Sequence, residues 1–246
     1  MNLRSPGTIQ DHALPDSTAA HETSVNAVLR PIVFGANDGL VSNLALVMGV
    51  AGANPDPSVI VLAGVAGLLA GAFSMGVGEY ISVRSQRELL DYQIAFQRKQ
   101  LREVPEQERK ILQRAYVDRG FSDEQATMFV DAVFIDDEHA IRQLIFEEVG
   151  LDERSIGSPL SAAGGSFLAF VAGAFIPLVP YLLSSGPPAF TASLVMSLIA
   201  LALLGVGISR LTRRPPLFSA LRQVALGGIA AAVTFAVGTI IGVQMS

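Results

Sequence analysis

Five segments of the chain are almost continuously apolar, and the charged residues lie between them. No Asp, Glu, Lys, Arg or His occurs from residue 155 to residue 209, or from residue 223 to residue 246. A bilayer span needs about 20 apolar residues, so stretches of this kind indicate membrane helices. The pattern predicts an all-α integral membrane protein whose five transmembrane helices cover residues 31–53, 58–83, 160–183, 189–209 and 218–243.

The region between the second and third spans has a different character, because it is dense in charge. The second span has no helix breaker before Pro105, so its helix is expected to continue to about Arg102. Pro105 suits the first turn of a helix, and Ser122 with Gln125 resembles a capping box. These signals predict a three-helix cytosolic insert. The predicted domains are a disordered cytosolic tail over 1–29, transmembrane helices 1 and 2 over 30–86, a helical cytosolic domain over 87–157, and transmembrane helices 3–5 over 158–246.

The Lys and Arg residues that follow the tail all lie on one side of this five-span layout. Arg30 precedes the first span, eleven Lys and Arg lie in the 84–157 region, and the remaining arginines flank the turn between the last two spans. By the positive-inside rule, the N-terminus is inside and the C-terminus is outside. The same residues therefore predict a bilayer as partner and no nucleic acid. The absence of Cys excludes disulfides and thiolate metal sites.

Two carboxylates fall within predicted spans, Asp38 in the first and Glu79 in the second. An acidic group inside a membrane usually faces a pathway or a partner. The helical rise places Asp38, Met75 and Glu79 at similar depths on adjacent antiparallel helices. Two carboxylates with a thioether favour a transition metal ion over Na⁺ or Mg²⁺. Further oxygen ligands could come from Asn37, Ser42 and Asn43.

Simpler roles are open for each of these residues. Glu79 could extend to the interface or pair with Arg84. Asp38 could make a structural hydrogen bond, and Met75 could be an ordinary core residue. The many acidic residues of the insert could form a solvated surface. Small residues spaced four apart, among them Gly67 with Gly71 and Gly238 with Gly242, predict close helix packing.

Two sequence elements resemble the vacuolar iron transporter (VIT1/CCC1) family, and specifically its bacterial-type members. They are FGANDG at residues 34–39 and AGAFSMGVGEYISVRSQ at residues 70–86. The resemblance implies a homodimeric metal–proton antiporter that removes Fe²⁺, and often Mn²⁺, from the cytosol. It assigns Asp38, Met75 and Glu79 to the intramembrane metal site. Some members carry a further glutamate at the position of Gly67.

The resemblance also implies that the 87–157 region is a metal-binding-like domain. Glu108 and Glu148 match two of its metal-binding glutamates. Other ligand positions of the family hold Gln97, Gln100, Ile111 and Leu144 here. We therefore expect weaker metal binding in this domain. Asp136, Asp137 and His139 are speculative substitutes for the missing ligands.

The sequence thus predicts a secondary transporter that exports Fe²⁺ and/or Mn²⁺ in exchange for protons, in a prokaryotic cytoplasmic membrane. The metal ions are cargo, and no permanently bound cofactor is expected. The alternative is a metal-responsive membrane sensor or scaffold that does not transport. An enzyme is not expected, because no nucleophile–base pair stands at helical spacing.

Overall fold

A computed structural model describes residues 17–149 and 157–245, with the backbone alone for residues 17–28, 148, 149, 211 and 245. Every element in these ranges is an α-helix. Four helices are long and apolar enough to cross a membrane: Leu29–Gly52, Pro57–Glu103, Pro187–Arg210 and Pro216–Gln244. The helices are α1 (Ser17–Gly52), α2 (Pro57–Glu103), α3 (Pro105–Asp118), α4 (Asp123–Val133), α5 (Asp137–Val149), α6 (Pro159–Phe175), α7 (Val179–Leu183), α8 (Pro187–Thr212) and α9 (Pro216–Met245).

Helix α1 lies at the centre of the apolar bundle and packs against α2, α6, α8 and α9. Glycines allow the closest of these approaches. A Cβ added at Gly39 would overlap the backbone carbonyl of Phe170 in α6, and one at Gly238 of α9 would overlap the carbonyl of Gly49. Small residues at such contacts bring backbones together, which is how membrane helices associate without a hydrophobic driving force.

The region predicted as the third span is divided, which corrects the expectation of one helix over 160–183. Helix α6 ends at Phe175, and the short helix α7 begins at Val179. Pro177 and Pro180 lack the N–H groups that a continuous helix would use. Groups on neighbouring helices bind the freed carbonyls, because Asn43 Nδ2 donates to Ala174 O and Ser193 Oγ donates to Pro177 O.

The start of α1 corrects a second expectation, since the tail was predicted to extend to residue 29. The helix begins at Ser17 and contains Pro31. No Gly or Pro occurs between Ser17 and Arg30, so nothing in that stretch breaks the helix. Residues 1–16 lie outside the described part of the chain.

Helix α2 has 47 residues and continues beyond the apolar bundle, as the sequence predicted. Its rise gives a length of about 70 Å, against about 30 Å for the hydrocarbon core of a bilayer. The extension packs against α3 and α5 through two apolar clusters that Leu101 joins. The predicted capping box of Ser122 and Gln125 is present at the start of α4.

Candidate functional site

The two ends of the bundle can be told apart by which residues meet there. Arg30, Glu79 and Ser158 line one cavity, at the end where α2 leaves the bundle, which we call the insert end. Asn54, Tyr181 and Gly186 line another cavity at the opposite end, which we call the far end. Helices α1 and α2 are therefore antiparallel.

Two contacts fix how α1 and α2 are aligned. Phe34 and Glu79 line the same cavity at the insert end. Deeper in the bundle, a Cβ added at Gly67 would overlap Leu46. Phe34 to Leu46 and Glu79 to Gly67 each cover twelve residues, or about 18 Å at the helical rise.

This alignment gives the level of the predicted metal ligands. Asp38 lies one helical turn beyond Phe34, and Met75 lies one turn before Glu79 along α2. Both therefore sit about 6 Å deeper than the Phe34–Glu79 level. Both residues are half-buried, and Met75 packs against the main apolar cluster of the bundle. Depth and burial are thus compatible with a site between them.

The cavity at the insert end has a volume of about 390 Å³. Its polar lining includes residues that the sequence analysis did not name as ligands. They are Arg30, Ser82, Gln86, Ser158 and Ser161. Helical spacing could have found two of them, since Arg30 lies one turn before Phe34 and Ser82 lies three residues after Glu79. The cavity thus lies one helical turn nearer the insert end than Asp38.

The sequence left open whether Glu79 pairs with Arg84. Arg84 instead donates from Nε to Glu88 Oε1 at 2.7 Å, as an exposed pair one turn apart. Glu79 is half-buried in the wall of the cavity. It is therefore placed where a cation could reach it.

The additional oxygen ligands suggested by the sequence differ in position. Ser42 is exposed, and Asn37 is half-buried with a side-chain oxygen that meets no hydrogen-bond donor in the described residues. Asn43 is only 2 % exposed and is anchored to Ala174 O by its Nδ2 group at 2.6 Å. These amides cluster in the half of α1 that also carries Asp38.

The insert buries some of its predicted ligand positions and exposes others. Gln97 and Glu108 are 1 % and 3 % exposed, and Leu144 is fully buried. Ile111 is exposed, whereas Gln100 is half-buried. The side chain of Glu148 lies outside the described part of the structure. Of the two glutamates matched to the family, the one whose side chain is described, Glu108, is therefore buried.

The speculative ligands of the insert are on its surface. Asp136, Asp137 and His139 are exposed, and Asp136 Oδ1 accepts a hydrogen bond from the backbone of Glu138 at the start of α5. That contact gives Asp136 the role of a capping residue at the start of α5. Across residues 17–149 and 157–245, the structure forms no group of three or more His, Asp or Glu side chains able to hold a metal.

A polar network on α3 and α5 holds the insert together. Arg119 makes a two-pronged ion pair with Glu147, whose side chain is 5 % exposed, and Gln143 links Glu147 to Tyr116. Burial, together with the Glu147 carboxylate, raises the pKa of Tyr116. These side chains stabilise the packing of the two helices.

With this geometry described, comparison with known proteins identifies the family. A family model described as the VIT family matches residues 29–239. The chain belongs to the VIT family. Vacuolar iron transporter 1 of Arabidopsis thaliana is 30 % identical over 235 residues, which cover 95 % of this chain and 92 % of that protein.

Other VIT family relatives give the same result. Vacuolar iron transporter 2 of Oryza sativa subsp. japonica is 29 % identical over 223 residues, covering 90 % of each chain. The vacuolar iron transporter of Toxoplasma gondii is 28 % identical over 239 residues, covering 92 % of this chain and 78 % of that protein. The matched region includes Asp38, Met75 and Glu79 as well as the insert, so the likeness extends over the whole helical architecture.

Proposed function

We propose that this protein is a secondary transporter that moves Fe²⁺ and/or Mn²⁺ out of the cytosol in exchange for protons. The observation that supports it best is the vertical order of groups at the insert end. A polar cavity holds Glu79, and Asp38 and Met75 lie at one level about 6 Å deeper. Such an order offers a hydrated cation successive oxygen and sulfur ligands on its way into the bundle.

The ligand types favour divalent transition metals. Carboxylates provide hard oxygen donors, whereas the Met75 thioether favours softer ions such as Fe²⁺ over Mg²⁺. A carboxylate binds a cation in its ionised form, so a carboxyl group that holds a proton in the empty site must release it when the metal binds. This gives a physical basis for exchange.

The membrane arrangement we propose is the one given by the positive charges. The insert end faces the cytosol, the far end faces outside, and α6 with α7 forms a fifth crossing beside the four long helices. A homodimer is supported by an open stripe of small residues on α2: Ala70, Ser74 and Gly78 are exposed, and a Cβ at Gly78 would meet nothing within 4 Å. A second copy could approach closely there.

The decisive experiment compares two aspartates of the apolar region in reconstituted vesicles. Asp38→Asn is expected to lower Mn²⁺ or Fe²⁺ flux, read with an internal metal-sensitive dye, by at least about tenfold, because an amide is a poorer ligand than a carboxylate. Asp56→Asn is the matched control, since Asp56 is exposed in the turn between α1 and α2. Its flux should equal that of the wild type.

Two results would contradict the proposal in different ways. Undiminished flux in Asp38→Asn would remove Asp38 from the pathway. A wild-type protein that binds Mn²⁺ but passes none across an imposed proton gradient would favour the alternative, a metal-responsive sensor or scaffold.

A further inference from the structure

The side-chain amide of Asn43 is an unusual group at this depth of a membrane protein. It is 2 % exposed, and its Nδ2 donates to Ala174 O at 2.6 Å. Its Oδ1 is buried and meets no hydrogen-bond donor among residues 17–149 and 157–245. A buried acceptor without a donor destabilises the folded protein, so its retention calls for an explanation.

The oxygen faces helix α2. It lies 3.1 Å from the position that a Cβ would take at Gly67. Asn43 is five residues beyond Asp38 on α1, or about 7.5 Å further toward the far end. Gly67 is eight residues, or about 12 Å, beyond Met75 in the same direction. Asn43 Oδ1 is thus the next buried polar group past the Asp38–Met75 level on this helix pair.

The break between α6 and α7 lies at the same place. Asn43 is held against it through Ala174, one residue before the end of α6. The C-terminal end of a helix carries partial negative charge, and interrupted membrane helices are typical places for cation binding. Ser193 fastens the other side of the break through Pro177 O at 2.7 Å.

One apolar side chain separates Asn43 from the Asp38–Met75 level. Gly71 is four residues, or about 6 Å, beyond Met75, and the Phe170 ring occupies the space that a side chain at Gly71 would fill. Leu46 fills the space at Gly67, beside Asn43 Oδ1. Because the Phe170 ring is the end of a rotatable side chain, it can turn without a shift of the helix backbone.

We propose that Asn43 Oδ1 is a further oxygen ligand for the transported divalent cation, on the far side of Phe170 from Asp38 and Met75. This inference rests on the proposed function. In this scheme the cation leaves Asp38 when the Phe170 ring turns aside. Asn43 and the carbonyls at the end of α6 then replace part of its hydration shell.

A purely structural role for Asn43 makes different predictions. In that case Asn43 serves only to stabilise the break between α6 and α7 through its Nδ2 hydrogen bond. Its Oδ1 then makes only a weak contact with a Gly67 C–H group. Ser193→Ala is the matched control, because Ser193 also supports the break but contributes no buried, unpaired oxygen.

The test measures Mn²⁺ flux into vesicles and Mn²⁺ binding in detergent for Asn43→Leu, Asn43→Asp and Ser193→Ala. Asn43→Leu should lower flux by at least about tenfold while the Mn²⁺ Kd stays within about twofold, because the Asp38 level is intact. Asn43→Asp keeps an oxygen and should retain flux close to that of Ser193→Ala.

If the Asn43→Leu and Ser193→Ala variants have the same Mn²⁺ flux, the inference is overturned, while the proposed function stands. Asn43→Asp as inactive as Asn43→Leu would also overturn it, since losing the N–H donor would then be the cause. If Asn43→Leu does not fold, Asn43→Asp decides alone: flux near that of Ser193→Ala supports the inference, and flux below about one tenth of it contradicts it. Absent flux in the wild type would instead overturn the proposed function, and this inference with it.

Discussion

The membrane bundle and the insert, as described over residues 87–149, use the same element, the α-helix, but pack it in opposite ways. In the bundle, glycines such as Gly39 bring backbone against backbone, and the Glu79 carboxylate is half-buried at the edge of a cavity. In the insert, large side chains such as Leu112 and Leu144 fill the interior, and Glu108 is buried with them.

This difference separates residues placed for chemistry from residues placed for packing. A carboxylate beside a polar cavity can exchange protons and cations with water. A carboxylate buried in a folded core exchanges protons or cations with water only when the core opens. The bundle therefore retains a candidate pathway, whereas the described part of the insert has the properties of a folded support.

The largest expected effect concerns the backbone contacts of the bundle. Gly39→Leu would drive a side chain into the carbonyl of Phe170. Because backbone cannot give way as a side-chain end can, we expect a loss of more than about 5 kcal/mol and little folded protein. Gly164→Leu, on α6 with nothing within 4 Å of its Cβ position, is the control. Equal yields in size-exclusion chromatography would refute the contact.

A smaller effect should follow from opening the core of the insert. Leu112→Ala removes a fully buried side chain and should cost about 2–5 kcal/mol. Its neighbour Ile111 is 38 % exposed, so Ile111→Ala should cost less than about 1 kcal/mol. Thermal unfolding followed by circular dichroism measures both. Equal losses of stability in the Leu112→Ala and Ile111→Ala variants would mean that α3 packs through a different face.

The smallest effect tests whether the insert can become a metal site. Gln97→Glu adds a second acid to the buried region and should destabilise the insert by about 1–3 kcal/mol at pH 7. Burial favours the protonated acid, so this loss should shrink as the pH falls. Gln100→Glu, at a half-buried position, should cost less.

Added Mn²⁺ sharpens that test. If the region can close around a cation, Mn²⁺ should restore the melting temperature of Gln97→Glu and leave the wild type unchanged. A melting temperature that rises with Mn²⁺ in the wild type would show that Gln97 had not weakened the site.

Much of this architecture follows from the sequence. The absence of a breaker before Pro105 predicted that α2 would continue to Glu103, and Ser122 with Gln125 predicted the start of α4. The last two spans also match α8 and α9. Strong local signals, namely caps, prolines and long apolar runs, set these features.

Other features depend on contacts that local signals do not contain. The hydropathy of the predicted third span did not reveal its division near Pro177 and Pro180, because a divided helix is as apolar as a continuous one. The partners that make the break possible, Asn43 and Ser193, come from other helices. The helical spacing gave the depths of Asp38 and Met75, but only the fold showed that Gln97 and Glu108 are buried.

The uninterrupted α2 has a mechanical consequence. Gly76 sits inside the bundle, and Glu103 at the tip of the same rod is 27 residues away, about 40 Å at the helical rise. A tilt of about 10° at Gly76 would sweep the tip through roughly 7 Å. Small rearrangements of the bundle would thus be magnified at the tip, where spin labels would register them as changes in distance.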